Sequence, residues 1–458
     1  MQPPHVLVLL CDQMQADRMG FVDGLTHTPT LDRLAREGVH FTNAYTTQGQ
    51  CVPSRAVLQT GLYAHECGVM VNYGFYNHQN RLGPQHTTVG HVFRDAGYRT
   101  VYFGKSHLGL PLERLGYDTA WTSDTLKTDA ETTAALGIEH VPGPMRRDYL
   151  TAEKAVAWLQ DYEPDGQPLF FTFSTNLPHP PFFLEPKYAD RYDEDALPVP
   201  ASFHAEAFAD KPAYQQEHRE DRQHGVESET GLRTMLRQYL TMISVMDEHL
   251  GRVIAEFERL GLWEDTIVLF TADHGDMMGA HGFNRKGTLP YEELYRIPLL
   301  VRDPARPELR GRTVDAIASN ERFAATLIRL AGLEAPESFR HGDLWPELFG
   351  RVPPEEQRAF IEHYAAYWGI HPFRGIVTPT HKYVRYYGAG EDGVEELYDL
   401  AEDPHELVNR AGDPALRKVR EALAARTEAW WSDTAGQPFS HYESDAFREN
   451  RHNAWPAP

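Results

Sequence analysis

The sequence predicts an α/β fold: a large, mostly parallel sheet sandwiched by helices, with a smaller antiparallel-sheet subdomain near the C-terminus. Three observations predict it. Four short apolar, β-branched runs lie within the first 272 residues. Segments with helical spacing of apolar residues lie between them. Beyond residue 366 the pattern changes to short strands in succession and one closing helix. Strands alternating with helices build a parallel sheet covered on both faces, whereas successive short strands pair antiparallel.

The elements follow in order. HVLVLL (5–10) is a buried-type strand that ends in Cys11, Asp12 and Gln13. TLDRLAREG (30–38) has helical spacing and a terminal glycine. In CVPSRAVLQTG (51–61), Pro53 fits a first helical turn, where its missing N–H costs nothing. Gly61 suits the position just past that helix. TVGHVFRDAGY (88–98) repeats the helical design before TVYFG (100–104), a strand ending in Lys105, Ser106 and His107. PLFFTFS (168–174) is a third strand, followed by Asn176, Leu177, Pro178 and His179. A long helical stretch over 232–261 precedes TIVLFTA (266–272), which ends in Asp273, His274, Gly275 and Asp276.

In parallel sheets, ligands gather at the carboxyl ends of the strands. A single Asp after a strand is ordinarily a cap or turn residue, and a single His a satisfied structural group. Four polar strand ends at one sheet edge point instead to a site. Asp12, Gln13, Asp273 and His274 offer oxygen and imidazole ligands, which suit Ca²⁺, Mn²⁺ or Mg²⁺ better than a structural zinc. Lys105, His107, His179 and Lys286 add positive charge and proton donors, the lining of a pocket for a tetrahedral anion. Cys51 begins a helix, where the macrodipole favours an anion and lowers a thiol pKa. It is a nucleophile candidate, with a small buried capping residue as the alternative.

The totals narrow the function classes. The 458 residues are 41% hydrophobic and 24% charged, enough for two to three domains, and no repeat is evident. A net charge of −22 argues against nucleic acid and disfavours long polyanions, while a local basic pocket can still hold a small anion. Cys11, Cys51 and Cys67 are an odd, sparse set, a poor disulfide framework. The segment MQPPHVLVLLCDQ lacks a basic n-region, and its apolar run is too short for a signal peptide or membrane span. The expectation is a cytoplasmic protein without a membrane partner.

The domain expectation is a catalytic unit over 1–365, a small antiparallel sheet plus helix over 366–435, and a tail over 436–458. The tail has no clear periodicity, and is either loose or an arm onto a second subunit of a homo-oligomer. Residues 183–230 are polar and charge-rich, either a lid or a solvated excursion. Tyr73, Phe75, Tyr76 and His78 line the pocket or pack beneath a loop.

CVPSRAVLQTG matches the sulfatase signature Cys-x-Pro-Ser-Arg-x-x-Leu-x-Thr-Gly. HVLVLLCDQMQADRMG and TIVLFTADHGDMMGAHG resemble that family's two metal-binding strands. FGKSHLG resembles its Gly-Lys-x-His-Leu-Gly segment and LPHPPF its Pro-His-x-Pro segment. KGTLPYEELYRIPLLV resembles its lysine-bearing loop, and ELYDLAEDPHELVN its C-terminal subdomain. With these motifs in order along nearly the full chain, the sequence is identified as a member of the sulfatase branch of the alkaline phosphatase superfamily.

That resemblance implies an alkaline phosphatase-like fold. It also implies hydrolysis of a small sulfate monoester (sugar, aryl or choline-like) to an alcohol and inorganic sulfate. A separate formylglycine-generating enzyme would oxidise Cys51 to formylglycine, reading the Cys-x-Pro-x-Arg pentapeptide intact in CVPSR. One hydroxyl of the hydrated aldehyde attacks sulfur, and the other expels sulfate from the hemiacetal. Asp12, Gln13, residue 51, Asp273 and His274 would hold one divalent cation, Ca²⁺ in first place and Mn²⁺ in second. Arg55 would orient formylglycine, and Lys105 and Lys286 would bind sulfate oxygens. His107 would assist hemiacetal breakdown, His179 would serve the leaving oxygen with Lys286, and Asn72 would face the pocket. Many sulfatases carry Asp-Asp and Asp-Asn where this chain has Asp12-Gln13 and Asp273-His274. That variant is also similar to phosphonate monoester hydrolases and choline-sulfatase-like members. It leaves the metal open, and leaves phosphonate monoester or phosphodiester hydrolysis as the alternative. The Lys and His kept in GKSH favour a sulfate ester.

Overall fold

The computed structural model describes residues 3–453, apart from 80, 125–128, 222–224, 367–368 and 389–392. The large sheet contains β1 (His5–Asp12), β2 (Val39–Tyr45), β3 (Arg99–Gly104), β4 (Thr119–Thr122) and β5 (Leu169–Pro178). It continues with β6 (Thr266–Ala272), β7 (Arg296–Arg302), β8 (Arg312–Val314) and β9 (Ala318–Ser319). The strand order is β4-β3-β5-β1-β6-β7-β2-β8, with β9 beside β2. Every pairing is parallel except the two made by β7, which runs antiparallel to β6 and β2. The sheet is therefore mostly parallel, as the alternation of strands and helices requires.

Register places the site. Leu10 pairs with Ser174, Gly104 also pairs with Ser174, and Cys11 pairs with Ala272. The carboxyl ends of β3, β5, β1 and β6 thus finish level, and the residues after them face one another. β1 is central and β6 fully buried, so the apolar runs are buried on both faces. Each fully buried Leu, Ile or Phe contributes about 1.5–3 kcal/mol. β2 escapes the sequence reading because its VHFTNAY mixes buried and half-buried positions without a clear run.

Helices cover the sheet in two groups. Pro29–Glu37, Arg146–Asp161 and Glu229–Arg259 pack together, and Cys51–Thr60, Val89–Asp95 and Phe323–Leu330 pack together. The long helix starts where the Ser228 side chain accepts the Gly231 N–H. Its Asp247 accepts the Thr30 and Leu31 N–H groups, both at 2.9 Å, and so caps the neighbouring helix. Among the described residues no helix is long and apolar enough to cross a membrane.

The small sheet runs β10 (Ala359–Ala366), β11 (Gly369–Val377), β12 (His381–Tyr386) and β13 (Glu395–Asp399), antiparallel throughout. Its first strand opens at Ala359, so a division between 365 and 366 cuts that strand and belongs before it. The Arg417–Asp433 helix closes this sheet, with Trp430 stacked on Phe360 at 4.7 Å. The described part of the tail is not loose. Tyr442 and Phe447 are buried, and Asn450 and Asn453 donate to the carbonyls of Arg81 and Cys67. Two four-residue helices are too short to show a period in sequence, and two aromatic anchors hold them. Residues 454–458 lie outside the described part.

The described residues of the 183–230 segment pack onto the core rather than forming a solvated excursion. Phe183, Tyr188, Tyr192, Phe203 and Tyr214 are buried. Its Lys211 ammonium bonds Glu206 at 2.6 Å and the Glu406 carbonyl at 2.7 Å. Among the aromatics after the signature, Tyr73 and Tyr76 are exposed while His78 is buried.

Candidate active site

Arg55 organises the level strand ends. Its Nε donates to Asp273 Oδ2 at 2.7 Å and its Nη2 to Asp12 Oδ2 at 3.1 Å. Its Nη1 donates to the Lys105 carbonyl at 2.8 Å and to Ser174 Oγ at 2.9 Å. One guanidinium therefore ties together the ends of β1, β3, β5 and β6. It is only 2% exposed, and those carboxylates hold its pKa above the ordinary arginine value against the effect of burial. Ser54 Oγ adds a bond to the Asp273 carbonyl at 2.6 Å. The hydrogen-bond partners of Arg55 are carboxylates and strand ends, so its first effect is to fix Asp12 and Asp273.

Cys51 opens the adjoining helix and is fully buried. Its sulfur lies 2.8 Å from Lys286 Nζ, 3.3 Å from His274 Nε2, and 3.8 Å from both Asp12 Oδ1 and Lys105 Nζ. Asn72 Oδ1 accepts the Val52 N–H at 3.0 Å, and the Asn72 N–H donates to Gln50 Oε1 at 3.2 Å. Asn72 thus satisfies one of the free donors at the helix start and steadies Cys51. Lys105 Nζ also donates to Asp12 Oδ2 at 2.5 Å.

The two site histidines have fixed tautomers. His274 Nδ1 lies 2.8 Å from the Gly275 carbonyl, and His179 Nδ1 lies 2.6 Å from the Pro180 carbonyl. A carbonyl only accepts, so each Nδ1 carries a proton and Nε2 is the atom each ring presents to the site. His179 Nε2 stands 4.0 Å from Asp12 Oδ1. His107 is placed differently. Its N–H donates to Asp124 at 2.7 Å and its ring meets Tyr73 edge-on at 5.6 Å. Among the described residues no hydrogen bond joins it to Cys51.

The electrostatics follow from burial and neighbours. Burial alone would raise the Asp12 carboxyl, but Lys105, His179, Arg55 and Lys286 together hold it well below the usual range. Burial, then Asp12 beside it, pushes Asp273 up to about 6. Burial and Asp12 would also raise the Cys51 thiol, yet Lys105, Lys286 and His274 bring it well below its ordinary value. Burial and Lys286 lower His179 to about 4, so it is neutral at neutral pH.

The residues fit a divalent cation. Ligand atoms of Asp12, Cys51, Asp273 and His274 all lie within 4.8 Å of one another. Gln13 Oε1 is buried and has no hydrogen-bond partner among the described residues. Gln13 also adopts φ 67°, in the left-handed region that costs a non-glycine residue about 1–2 kcal/mol. An orphan amide oxygen, two carboxylates and an imidazole lone pair form an oxygen-rich donor set with one nitrogen.

Ser174, Ser54 and Asp276 join this network without having been singled out in sequence as site residues. Ser174 ends the third apolar run, and Asp276 ends the Asp-His-Gly-Asp tetrad. Both are polar residues at the productive edge, which was the available signal.

A buried cluster able to hold a cation, a cysteine at a helix start and two lysines at the carboxyl edge of a mostly parallel sheet fit a hydrolase of the alkaline phosphatase superfamily. Residues 4–333 match the sulfatase family, and residues 279–432 match the C-terminal family of N-sulphoglucosamine sulphohydrolase. The chain belongs to the sulfatase family and is a sulfuric ester hydrolase. An ulvan-active sulfatase of Formosa agariphila is 27% identical, over 92% of this chain and 80% of its own. A choline-sulfatase of Rhizobium meliloti is 27% identical, over 99% of this chain and 90% of its own. The crystal structure of a phosphonate monoester hydrolase of Agrobacterium radiobacter superposes with a TM-score of 0.77 at 24% identity, covering 94% of this chain and 96% of that one. That last likeness concerns the fold.

Proposed function

We propose that the protein hydrolyses a small sulfate monoester (sugar, aryl or choline-like) through a formylglycine hydrate derived from Cys51. The observation that carries this is Cys51 at the helix start, inside the intact CVPSR pentapeptide and 2.8 Å from the Lys286 ammonium. A formylglycine-generating enzyme is the partner that oxidises it. The three cysteines, all free and buried, support a reducing cytoplasm as the setting.

The hydrated aldehyde carries two hydroxyls. The oxygen of one gives up its proton and bonds to sulfur as the sulfur–alkoxide bond breaks, and the departing oxygen takes a proton. The second hydroxyl then loses its proton, the carbonyl re-forms, and the carbon–oxygen bond to sulfate breaks. Water adds to the aldehyde and restores the diol. Lys105 and Lys286 flank residue 51 and balance charge on the sulfate oxygens. The incoming anion raises the pKa of His179, which then delivers a proton to the leaving oxygen with Lys286 nearby. His107, whose ring meets Tyr73, is the residue this reading assigns to take the proton of the second hydroxyl. A divalent cation held by Asp12, Gln13, Asp273 and His274, with Ca²⁺ first and Mn²⁺ second, would supply Lewis acidity to the sulfate oxygens. Arg55 keeps the two carboxylates apart and oriented.

One observation favours a second reading. The Asp12-Gln13 and Asp273-His274 motifs resemble phosphonate monoester hydrolases as well as choline-sulfatase-like members, so a phosphonate monoester or phosphodiester is the alternative substrate. Matched aryl sulfate, phosphonate and phosphodiester assays test it. We expect the highest kcat/KM on a sulfate, and a phosphodiester well above every sulfate tried would overturn the proposal.

A further inference from the structure

Asp276 sits behind the cation site with both carboxylate oxygens and its carbonyl engaged. Its Oδ2 accepts from Gln13 Nε2 at 2.5 Å. Its Oδ1 accepts the Met278 N–H at 2.8 Å and the Arg285 N–H at 3.0 Å. Its carbonyl accepts from Gln15 Nε2 at 2.7 Å. Asp276 is fully buried.

From these contacts we infer that Asp276 is a positioning residue that sets the amide orientation of Gln13 and couples it to the loop bearing Lys286. This rests on the cation site described above. An amide has one donating and one accepting end. A carboxylate can only accept, so Asp276 forces Nε2 toward itself and leaves Oε1 as the end aimed away. That oxygen is the buried one without a partner among the described residues. A flipped amide would face a cation with an N–H group and repel it.

The other oxygen closes the turn that carries the lysine. The Met278 and Arg285 N–H groups lie at opposite ends of it, and Met277 N–H bonds the Arg285 carbonyl at 2.8 Å. Met278, His281 and Arg285 all have positive φ, at 38°, 55° and 60°. Such a backbone persists only where its surroundings over-determine it. Asp276 supplies that support one residue before Lys286, whose Nζ reaches Cys51. The same carboxylate therefore orders a cation ligand and a sulfate-facing ammonium.

Asp276→Asn separates the two functions. Asparagine keeps an oxygen for the Met278 and Arg285 N–H groups but turns an NH₂ toward Gln13. Two donors then face each other, and the Gln13 amide must flip. The double exchange Asp276→Asn with Gln13→Glu restores a donor–acceptor pair and an oxygen toward the cation. The experiment is calorimetric titration of Mn²⁺ into metal-stripped full-length chain, parent and variants, with the Cys51 peptide mass showing the same modification state in all three. We expect the single variant to bind at least about tenfold more weakly. We expect the double exchange to recover most of that loss. A single variant with parental affinity would overturn the inference, as would a double exchange that binds no better than the single. The readout is affinity within one modification state, so it stands apart from whether Cys51 becomes an aldehyde.

Discussion

The Lys286 ammonium lies 2.8 Å from the Cys51 sulfur and 3.1 Å from His274 Nε2. One lysine, 235 residues downstream of the cysteine, thus touches both Cys51 and His274. In the proposed reaction its charge faces the sulfate. Lys286→Ala should lower kcat by about 10²–10³-fold, the loss typical of removing one such donor. Steady-state kinetics on an aryl sulfate measure this, and kcat within a few-fold of the parent would remove Lys286 from the chemistry.

Arg55 bridges two buried carboxylates. Its removal takes the guanidinium from buried Asp273 and leaves buried Asp12 with Lys105 as its remaining ammonium partner. Arg55→Ala should cost about 3–5 kcal/mol of stability. Urea unfolding reads this directly. A cost under about 1 kcal/mol, the scale of an exposed pair, would contradict the bridging role.

Chelation should abolish turnover, and Ca²⁺ or Mn²⁺ should restore it. Cation binding to the folded chain alone stabilises it by about 2.7 kcal/mol at a hundredfold excess over Kd. Melting the stripped chain with and without each ion measures the effect. An unchanged melting temperature with both ions would argue that the Asp12, Gln13, Asp273 and His274 set holds neither.

His249 gives a pH dependence remote from the site. It is 4% exposed, meets Tyr149 edge-on at 5.0 Å, and burial, then Arg252, lowers it to about 3. In the unfolded chain it titrates near about 6.5. Between these values the unfolded chain binds a proton that the folded chain refuses. Its contribution to stability is therefore full above the unfolded value and lost as pH falls toward the folded one. Going from pH 7 to pH 5 it costs about 2 kcal/mol, and His249→Gln should lose that much less over the same interval. Equal losses in parent and variant would show that His249 titrates normally in the fold.

The site's skeleton was legible because its residues follow apolar runs directly. Asp12, Lys105, Asp273 and His274 each come at or just after a strand end, and register then brings them level. Cys51 was legible from the helix-start proline and the signature around it. The partners of Arg55 and the role of Asp276 were not, because they depend on pairings 218 and 263 residues apart. The turn of Asn72 toward the Val52 N–H is likewise a tertiary outcome, set by a loop without periodicity. The small sheet's opening at Ala359 was obscured because AFIEHYAA carries charged residues that burial and specific partners satisfy, as with Glu362 on His65 at 3.0 Å.

Cys51→Ala should keep its fold and lose turnover, but the most direct measurement follows the modification itself. The aldehyde content of the Cys51 peptide is set beside turnover of the same preparation on an aryl sulfate. Turnover should rise in proportion to the fraction of chains carrying the aldehyde, and chains that keep the thiol should show only background. Full turnover from protein whose Cys51 is entirely thiol would contradict an oxygen nucleophile derived from that cysteine.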